Sequence, residues 1–585
     1  MESITRITQR NVAETRLDSP LRSAAALLAN APGILRLGWR EELIDFEILR
    51  WTQLGLLIVY ALLFVLDSRR AGSQRSAFLK ITRPEQAIIL LGIGIGGFQW
   101  QAATLACAGL AAVHLLRLYL RLVQRNIPPG LVFIGSFIAL VAVGAAALKL
   151  PAATPEAQPI SWLDSVFTIT SAVSQTGLVV RPTGDGFTRF GQVVILAWMQ
   201  VGALGVIVFG ALLASVLGSS FGVRATRTLA EGTEQGWTGQ LSLQRLVTFI
   251  FILTHGVELI GAVVLYFGWP DAWDGAPDIA SNGDRFFHCV FFSVSAFCNA
   301  GFVTTENSLQ GLRTNWTSHT VIVPLILIGS IGFPVLDNLR QVAWAKIRRQ
   351  RIHPNGSLIR LNLNTKIILS TTFCVYVIGF LIIALGEITQ TTEPVGKVLA
   401  DAHFMNMNRT SGFNTIPPAN MGLLSQLGLI ALMFIGGSPA SVAGGVKMMV
   451  FAVLVLTVWS TIRGRTETTA FGRTIPDALV RKSATLVVMC LGAVLLTTAV
   501  MVATEPVPEG GAVLGPYLFE ATSAFGTTGL SLGITSELGT PSRIALICAM
   551  FVGRVGILAF AAALASVAVA RGTGATYPSE EVVIY

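Results

Sequence analysis

Charged residues are scarce in this sequence. Of 585 residues only 12% are charged, whereas 52% are hydrophobic, and the mean hydropathy is +0.66. A water-soluble chain of this length does not tolerate such a composition. Apolar runs of about 20 residues, long enough to cross roughly 30 Å of hydrocarbon, recur along the chain, for example at 131–150 and 246–267. The scarcity of charge therefore excludes a soluble protein and predicts an all-α polytopic membrane protein.

The signatures of catalysis and of bound cofactors are also missing. The six cysteines form no CxxC pair, so neither a zinc site nor a disulfide framework is indicated. No Walker A, HExxH or GxSxG sequence occurs, which argues against an ATP-driven pump and against hydrolysis within the membrane. The glycines of 92–97 satisfy GxGxxG, but no strand precedes them and helix packing explains them better. We expect no enzyme and no covalently bound cofactor.

Positive charge, which is in excess by +9, is concentrated in alternate loops. Seven Lys and Arg residues lie within 340–366 and five within 463–482, whereas 386–421 contains only Lys397 and Arg409. This is the positive-inside pattern of a multi-pass plasma-membrane protein, and it predicts that the basic loops are cytoplasmic. Nucleic-acid binding is disfavoured because the charge follows membrane topology.

Four short segments of the chain align on a glycine. The copies at 171–178, 295–302 and 523–530 all begin with Ser-Ala, and the copy at 405–413 is degenerate at its start. Three copies follow half-length apolar segments, 163–171, 286–295 and 517–523, which are too short to cross the membrane and must return to the side from which they entered. The pattern predicts four parallel repeats of helix, pore helix, loop and helix around one pore.

The chemistry of such loops favours a dehydrated cation. Glycine lets neighbouring carbonyls turn toward a common axis, and the partly negative ends of four half-helices point at the same axis. No carboxylate ring is present, which disfavours a filter for divalent ions. The alternative, that these small residues only pack helices together, explains one copy better than four. The predicted filter residues are Gln175, Thr176, Gly177, Asn299, Ala300, Gly301, Thr410, Ser411, Gly412, Thr527, Thr528 and Gly529.

These loops resemble those of the Trk/Ktr/HKT family of potassium transporters over about residues 131–571. Two further stretches carry the resemblance. Glycines, serines and a proline interrupt the apolar span at 434–447, which in this family resembles an intramembrane gate loop; a passive kink is the alternative. Arg554 lies near the middle of the last span, where the family places a barrier in the pore; a structural ion pair is the alternative. The implied gate residues are Gly436, Gly437, Ser438, Pro439, Gly444, Gly445, Lys447 and Arg554.

The resemblance implies uptake of K⁺ through a selective pore, driven by the electrochemical gradient, with Na⁺ as an additional transported or activating ion. Gly177 at the first filter position favours potassium over sodium. The alternative is an alternating-access symporter that couples Na⁺ or H⁺ to K⁺. The family further implies a homodimer on a cytoplasmic ring of nucleotide-binding regulatory subunits. The position of Arg409, in the ion path or behind the third loop, stays open, as does the choice between the Trk and Ktr branches.

The first 130 residues fit the repeats poorly. One span is expected at about Trp51 to Leu66 and another within Gln86 to Leu116, with a basic loop between them. Either the positive-inside rule is violated there or one segment does not cross. The predicted organisation is a cytoplasmic basic segment 1–50, extra membrane helices 51–130, pore repeats 131–222, 223–338, 339–463 and 464–571, with the gate loop 436–447 in the third, and a tail 572–585.

Overall fold

A computed structural model describes most of the chain. The described residues are 20–39, 44–70, 82–96, 99–124, 129–156, 158–205, 240–270, 279, 281–349, 359–506 and 514–556. The predicted C-terminal tail and the start of the second repeat, 223–239, lie outside them. The described part is predominantly helical, as the composition predicts.

The first five helices form a bundle of their own. At its centre the Tyr60 hydroxyl donates to Glu85 at 2.6 Å and contacts the His114 ring at 2.9 Å, and Arg117 pairs with Glu85. Charges buried in a membrane protein are tolerated when they pair with one another or bind backbone groups, and here they pair. The five helices are α1 (Pro20–Leu28), α2 (Ala31–Gly38), α3 (Phe46–Arg70), α4 (Arg83–Gly96) and α5 (Trp100–Gln124).

The prediction of a single segment within Gln86 to Leu116 is wrong, because α4 and α5 form a helical hairpin there. A Cβ added at Gly92 would lie 2.5 Å from the Ala106 Cβ, and one at Gly109 would lie 3.5 Å from Ile88. The glycines therefore allow the two helices to pack closely, as the helix-packing explanation of 92–97 predicts. The apolar part of α4, Glu85–Ile95, is too short to cross a bilayer. The hairpin favours the alternative in which one segment does not cross.

In the rest of the described chain, a long helix is followed by a half-length helix four times. Where the sequence predicts half-length helices, α7, α10, α14 and α18 have 13, 16, 13 and 13 residues. The helices are α6 (Pro129–Leu148), α7 (Trp162–Ser174), α8 (Arg189–Leu204), α9 (Gln240–Gly268), α10 (Asn282–Phe297), α11 (Val323–Ile331), α12 (Phe333–Ile347), α13 (Leu363–Ile388), α14 (Val395–Met407), α15 (Leu423–Ile435), α16 (Met448–Ile462), α17 (Asp477–Thr504), α18 (Leu514–Gly526) and α19 (Thr540–Val555).

Among the residues that the structure describes, four helices are long and apolar enough to span a membrane: Phe46–Arg70, Thr248–Gly268, Leu363–Ile388 and Asp477–Thr504. A fifth candidate is the broken pair Ser318–Ile331 and Phe333–Ile347, which bends by 101°. A π-helical turn, Ser318–Ile322, precedes α11, and Gly332 with a φ of 97° separates α11 from α12. Within the described ranges the strands are β1 (Thr469–Ala470) and β2 (Arg473–Thr474), an antiparallel pair in the second basic loop.

Two of the half-helices, α7 and α10, begin at capping serines, and all four end inside the protein. The Ser161 hydroxyl accepts from the Asp164 N–H at 3.0 Å, and Ser281 caps α10 in the same way through Asp284 at 3.2 Å. Towards their C-terminal ends the half-helices are buried on every side, for example from Phe167 to Ser174 in α7. A helix that is buried all round belongs to a core, and here that core surrounds the ends of the half-helices.

Ion pairs connect one helix–half-helix–helix unit to the next. Arg189 of α8 pairs with Asp284 of α10, and Arg543 of α19 pairs with Asp164 of α7. Arg313, which precedes α11, donates to Asp401 of α14 through Nε at 2.8 Å and Nη2 at 2.5 Å. In each pair, the arginine follows the glycine loop of one unit, and the acidic residue lies in the half-helix of another unit.

We expect Asp401→Asn to lower the free energy of unfolding by about 2 kcal/mol, because the buried Asp401 carboxylate accepts from both Arg313 and Thr415. Thermal unfolding of the purified protein in detergent measures the change. The matched control is Glu393→Gln, which removes the other acidic neighbour of Arg313.

Glu393 is largely solvent-exposed, and the hydrogen bond from Lys397 holds its pKa below the usual value. Exposed pairs contribute little to stability, so the control should unfold like the parent protein. Equal destabilisation by Asp401→Asn and Glu393→Gln would contradict the conclusion that Arg313 stabilises the protein through Asp401.

Candidate functional site

The C-terminal ends of the half-helices lead into tight turns. Gln175, Asn299 and Thr527 adopt the left-handed conformation, with φ values of 61°, 55° and 48°. Each lies two residues before one of the aligned glycines, all four of which also have positive φ: 84° at Gly177, 69° at Gly301, 80° at Gly412 and 90° at Gly529. Left-handed backbone is unfavourable for residues other than glycine, so its recurrence at one position of three loops marks a functional constraint.

The recurring serine of the Ser-Ala pairs holds the turn together. In the first loop the Ser171 carbonyl accepts from the Thr176 N–H at 2.8 Å and its hydroxyl accepts from the Gly177 N–H at 3.0 Å. In the fourth loop the Ser523 hydroxyl accepts from the Gly529 N–H at the same distance, 3.0 Å. These bonds occupy the amide groups of the loop, so its carbonyl groups stay available to a ligand.

The third loop has a different turn before its glycine. Its half-helix continues as a 3₁₀ turn, Asn408–Thr410, and both Ser411 and Gly412 donate their N–H groups to the Asn408 carbonyl, at 2.9 and 3.1 Å. The degenerate start of this copy in the sequence corresponds to this change of turn. Thr410 then donates to the Asn299 side chain of the second loop at 2.8 Å.

The four aligned glycines form a closed ring. A Cβ added at Gly177 would overlap the carbonyl oxygen of Ala300 in the second loop, and a Cβ at Gly301 would overlap the carbonyl oxygen of Ser411 in the third. In the same way, a Cβ at Gly412 would overlap the carbonyl oxygen of Thr528 in the fourth loop, and a Cβ at Gly529 would overlap the carbonyl oxygen of Thr176 in the first. Each loop therefore packs its glycine on a carbonyl of the next loop, and the fourth loop closes on the first. The twelve residues predicted for the filter all lie in this ring of loops, and ten of them are buried, whereas Gly301 and Gly529 are partly exposed.

A second set of glycines, which the sequence analysis did not identify as a repeat, supports the ring from behind. A Cβ at Gly202, Gly329 or Gly553 would overlap the carbonyl of Val173, Phe297 or Phe525, each four residues before a ring glycine. Three residues further on, the helix ends at a glycine with positive φ. The signal was visible in the sequence as Gly-x-x-Gly in three units, with Gly436 alone in the remaining one. The terminal glycines are Gly205, Gly332, Gly436 and Gly556.

The chain is non-helical from Gly436 to Lys447, between α15 and α16, as the composition of this stretch predicts. The segment, here called the intramembrane loop, closes on itself through the Gly437 N–H and the Gly444 carbonyl, at 3.2 Å. It is held against the bend between α11 and α12, because the Ser438 N–H donates to the Ser330 carbonyl at 3.0 Å. It also touches the ring, since a Cβ at Gly444 would overlap the Thr527 hydroxyl.

Two arginines contact the intramembrane loop. Arg554 donates to the carbonyls of Val442 and, at 2.6 Å, Gly202, so it bridges the loop and α8. Within the described ranges no carboxylate lies within 4.0 Å of Arg554, which disfavours the structural ion pair considered above. The buried Arg409 points towards the Gly436 carbonyl, with Nη1 3.4 Å from it, and lines a cavity of about 20 Å³ behind the third loop.

The ring offers oxygen atoms and no cluster of charged ligands. Among the residues that the structure describes, no three His, Cys, Asp or Glu side chains come together as a metal site. At the ring, the buried Gln175 Oε1 and Thr527 Oγ1 have no hydrogen-bond partner. Buried polar atoms normally find partners, and a ring that offers uncharged oxygens suits a monovalent cation.

Helices that are long and apolar enough to span a membrane, together with a ring of four loops at the ends of half-length helices, indicate a multi-pass membrane transport protein. Residues 136–569 match the family model TrkH, whose description is cation transport protein. The match covers well over half of the chain, and the protein belongs to this family. The resemblance to the Trk/Ktr/HKT family is thereby confirmed, and so is the prediction that the chain is not an enzyme.

Individual relatives agree with this assignment. The chain is 32% identical over 469 residues to the Ktr system potassium uptake protein B of Bacillus subtilis, covering 78% of this chain and 97% of the relative. It is 28% identical to the potassium/sodium uptake protein NtpJ of Enterococcus hirae, over 79% of this chain and 98% of the relative. The crystal structure of the potassium transporter TrkH from Vibrio parahaemolyticus matches with a TM-score of 0.56 at 16% identity, over 87% of this chain and 97% of that chain, which supports the fold.

We expect Gly553→Ala to destabilise the protein by about 2 kcal/mol, because the added methyl group would overlap the Phe525 carbonyl in a tightly packed interior. Thermal unfolding in detergent again provides the measurement. Gly492→Ala in α17 is the matched control, since no atom lies within 4 Å of its added Cβ. This control should unfold at the same or a slightly higher temperature than the parent. An unchanged unfolding temperature of Gly553→Ala would show that α19 does not need to approach the end of α18 this closely.

Proposed function

We propose that this protein mediates potassium uptake, with K⁺ passing through the ring of four glycine loops. The observation that supports it most is the closure of the ring, in which each of the four glycines packs on a carbonyl of the next loop. A closed ring of backbone oxygens can replace the water shell of a dehydrated monovalent cation. The relatives named for potassium uptake support the choice of ion.

The proposed filter consists of Gln175 to Gly177, Asn299 to Gly301, Thr410 to Gly412 and Thr527 to Gly529, acting mainly through their carbonyl groups. The proposed repeats keep the boundaries 131–222, 223–338, 339–463 and 464–571. Glycine at all four positions favours K⁺, because a side chain at any one of them would displace the neighbouring loop. K⁺ is cargo here and not a resident cofactor.

The driving force in this proposal is the electrochemical gradient. At an inside-negative potential each 100 mV contributes about 2.3 kcal/mol per charge, which supports accumulation of K⁺ without ATP hydrolysis. The proposed orientation places the loops at 340–366 and 463–482 in the cytoplasm. Their basic residues would face a cytoplasmic nucleotide-binding ring of regulatory subunits, and the transporter itself would be a homodimer.

The intramembrane loop, Gly436 to Lys447, is the proposed gate. It lies against Thr527 of the ring and is bound by Arg554, so a rearrangement of the loop would also move a positive charge. A cation meets an unfavourable field near an arginine whose charge no carboxylate neutralises, in a medium of low dielectric constant. Arg409 would anchor the start of the loop at Gly436 from behind the third filter segment.

Expression of the chain should restore growth at low potassium in cells that lack their own potassium uptake, and Gly177→Ser should admit Na⁺. The substituted residue has an unfavourable positive φ and would push on Ala300, which opens the first quarter of the ring. Tracer uptake of ⁸⁶Rb⁺ and ²²Na⁺ measures both effects. Gly492→Ser, on an exposed face of α17, is the matched control. No rescue even with a regulatory ring subunit supplied, or an unchanged ion ratio in Gly177→Ser, would refute the potassium proposal.

Arg554→Gln should raise the rate of K⁺ uptake several-fold while leaving the ratio of K⁺ to Na⁺ uptake unchanged, because it removes charge at the gate and leaves the ring intact. Deletion of residues 436–445 should raise the rate of K⁺ uptake further than Arg554→Gln does. Arg70→Gln, an exposed arginine at the end of α3 and outside both basic loops, serves as the control for charge removal. Unchanged or reduced flux in both gate variants, at equal amounts of protein in the membrane, would exclude a barrier at this position.

A further inference from the structure

Glu520 is a fully buried acidic residue of α18 that the proposed ion path does not use. Its side chain is 0% exposed. Its carboxyl group accepts hydrogen bonds from the Ser531 hydroxyl at 2.5 Å, the Leu532 N–H at 3.0 Å and the Thr535 hydroxyl at 2.9 Å. No cationic nitrogen of a described residue lies within 4.0 Å of it. Such burial is unfavourable unless hydrogen bonds compensate it, and all three come from one short segment.

That segment is the chain as it leaves the ring. Ser531 is two residues after Gly529, and Leu532 is three residues after it. The Glu520 carboxyl group therefore holds the part of the loop that follows the ring glycine, whereas Ser523 binds the amide of the glycine itself. The fourth loop is therefore held at both ends by side chains of its own half-helix. Movement of the Gly529 carbonyl would require these bonds to change.

Two other loops are held at the corresponding place by different side chains. His288 of α10 contacts the Thr304 hydroxyl through Nδ1 at 2.8 Å, and Asp401 of α14 accepts from the Thr415 hydroxyl at 3.0 Å. Thr304, Thr415 and Leu532 all lie three residues after a ring glycine. In the first loop this position is Val180, which packs in an apolar cluster. A histidine and an aspartate bind the threonine hydroxyl at this position, and a glutamate binds the backbone N–H, so the requirement concerns the position in the loop rather than one residue type.

We propose that Glu520 is a positioning residue for ion selectivity, which holds Ser531 to Thr535 so that the fourth quarter of the ring cannot contract around an ion smaller than K⁺. The inference rests on the filter proposed above. A ring of carbonyl groups discriminates between ions of different radius only when its oxygens resist following the smaller ion. Glu520 supplies that resistance from behind the loop and does not touch the ion.

The test is the K⁺ to Na⁺ uptake ratio of Glu520→Gln. Glutamine keeps the shape of the side chain but presents an NH₂ group where the carboxyl accepts from N–H and O–H donors. Loss of one or two hydrogen bonds to the carboxyl group should lower the ratio about tenfold while K⁺ uptake continues. Thr522→Val in the same half-helix is the matched control, because the buried Thr522 hydroxyl bonds only to the Leu518 carbonyl of its own helix. It should keep the parent ratio.

A second pair of variants tests the contact from the other side and covers the case in which Glu520→Gln fails to reach the membrane. Thr535→Val removes one hydrogen-bond donor and should lower the K⁺ to Na⁺ uptake ratio. Thr535→Ser keeps the hydroxyl and should have the same ratio as the parent protein. A general loss of stability would not follow this pattern.

An unchanged ratio in both Glu520→Gln and Thr535→Val, alongside a lowered ratio in Gly177→Ser, would overturn the role of Glu520 and leave the filter proposal standing. An unchanged ratio in all three would overturn both.

Discussion

The packing of each ring glycine on a carbonyl of the next loop is the contact on which the rest of the structure depends. Four such contacts close only if the four loops lie at the same depth and at the same distance from a common axis. The half-helices supply the depth, because each ends inside the protein core. The glycines at Gly202, Gly329 and Gly553 supply the distance, because they let the following helices approach the half-helix ends without an intervening side chain.

The intramembrane loop shares its supports with the ring. It contacts Thr527 on one side and the bend at Gly332 on the other, and Arg554 connects it to α8. Irregular backbone at membrane depth must satisfy its polar groups within the protein. Here carbonyl groups of the loop bind arginines, so two unfavourable features of a membrane interior, free carbonyls and buried guanidinium groups, compensate each other.

The glycine alignment predicted the ring loops because a side chain is sterically excluded there, and such an exclusion leaves the same residue in every copy. The serine six residues earlier recurs for a similar reason, since Ser171 and Ser523 bond the glycine amide. The contacts of His288, Asp401 and Glu520 could not be predicted in this way, because different side chains meet the same need. The hairpin of α4 and α5 was missed because hydropathy alone does not distinguish a re-entrant pair from one long span.

Because one polypeptide supplies all four quarters of the ring, each quarter is encoded separately. In an assembly of four identical chains, a single codon change would alter the opening at four places at once. In this protein the same event alters one side and leaves the other three as they are. The third loop, with its 3₁₀ turn, and the first loop, with Val180 in place of a polar contact, have already diverged in this way. If the ring is the ion filter, as proposed, ion preference can therefore change in small evolutionary steps while the ring stays closed.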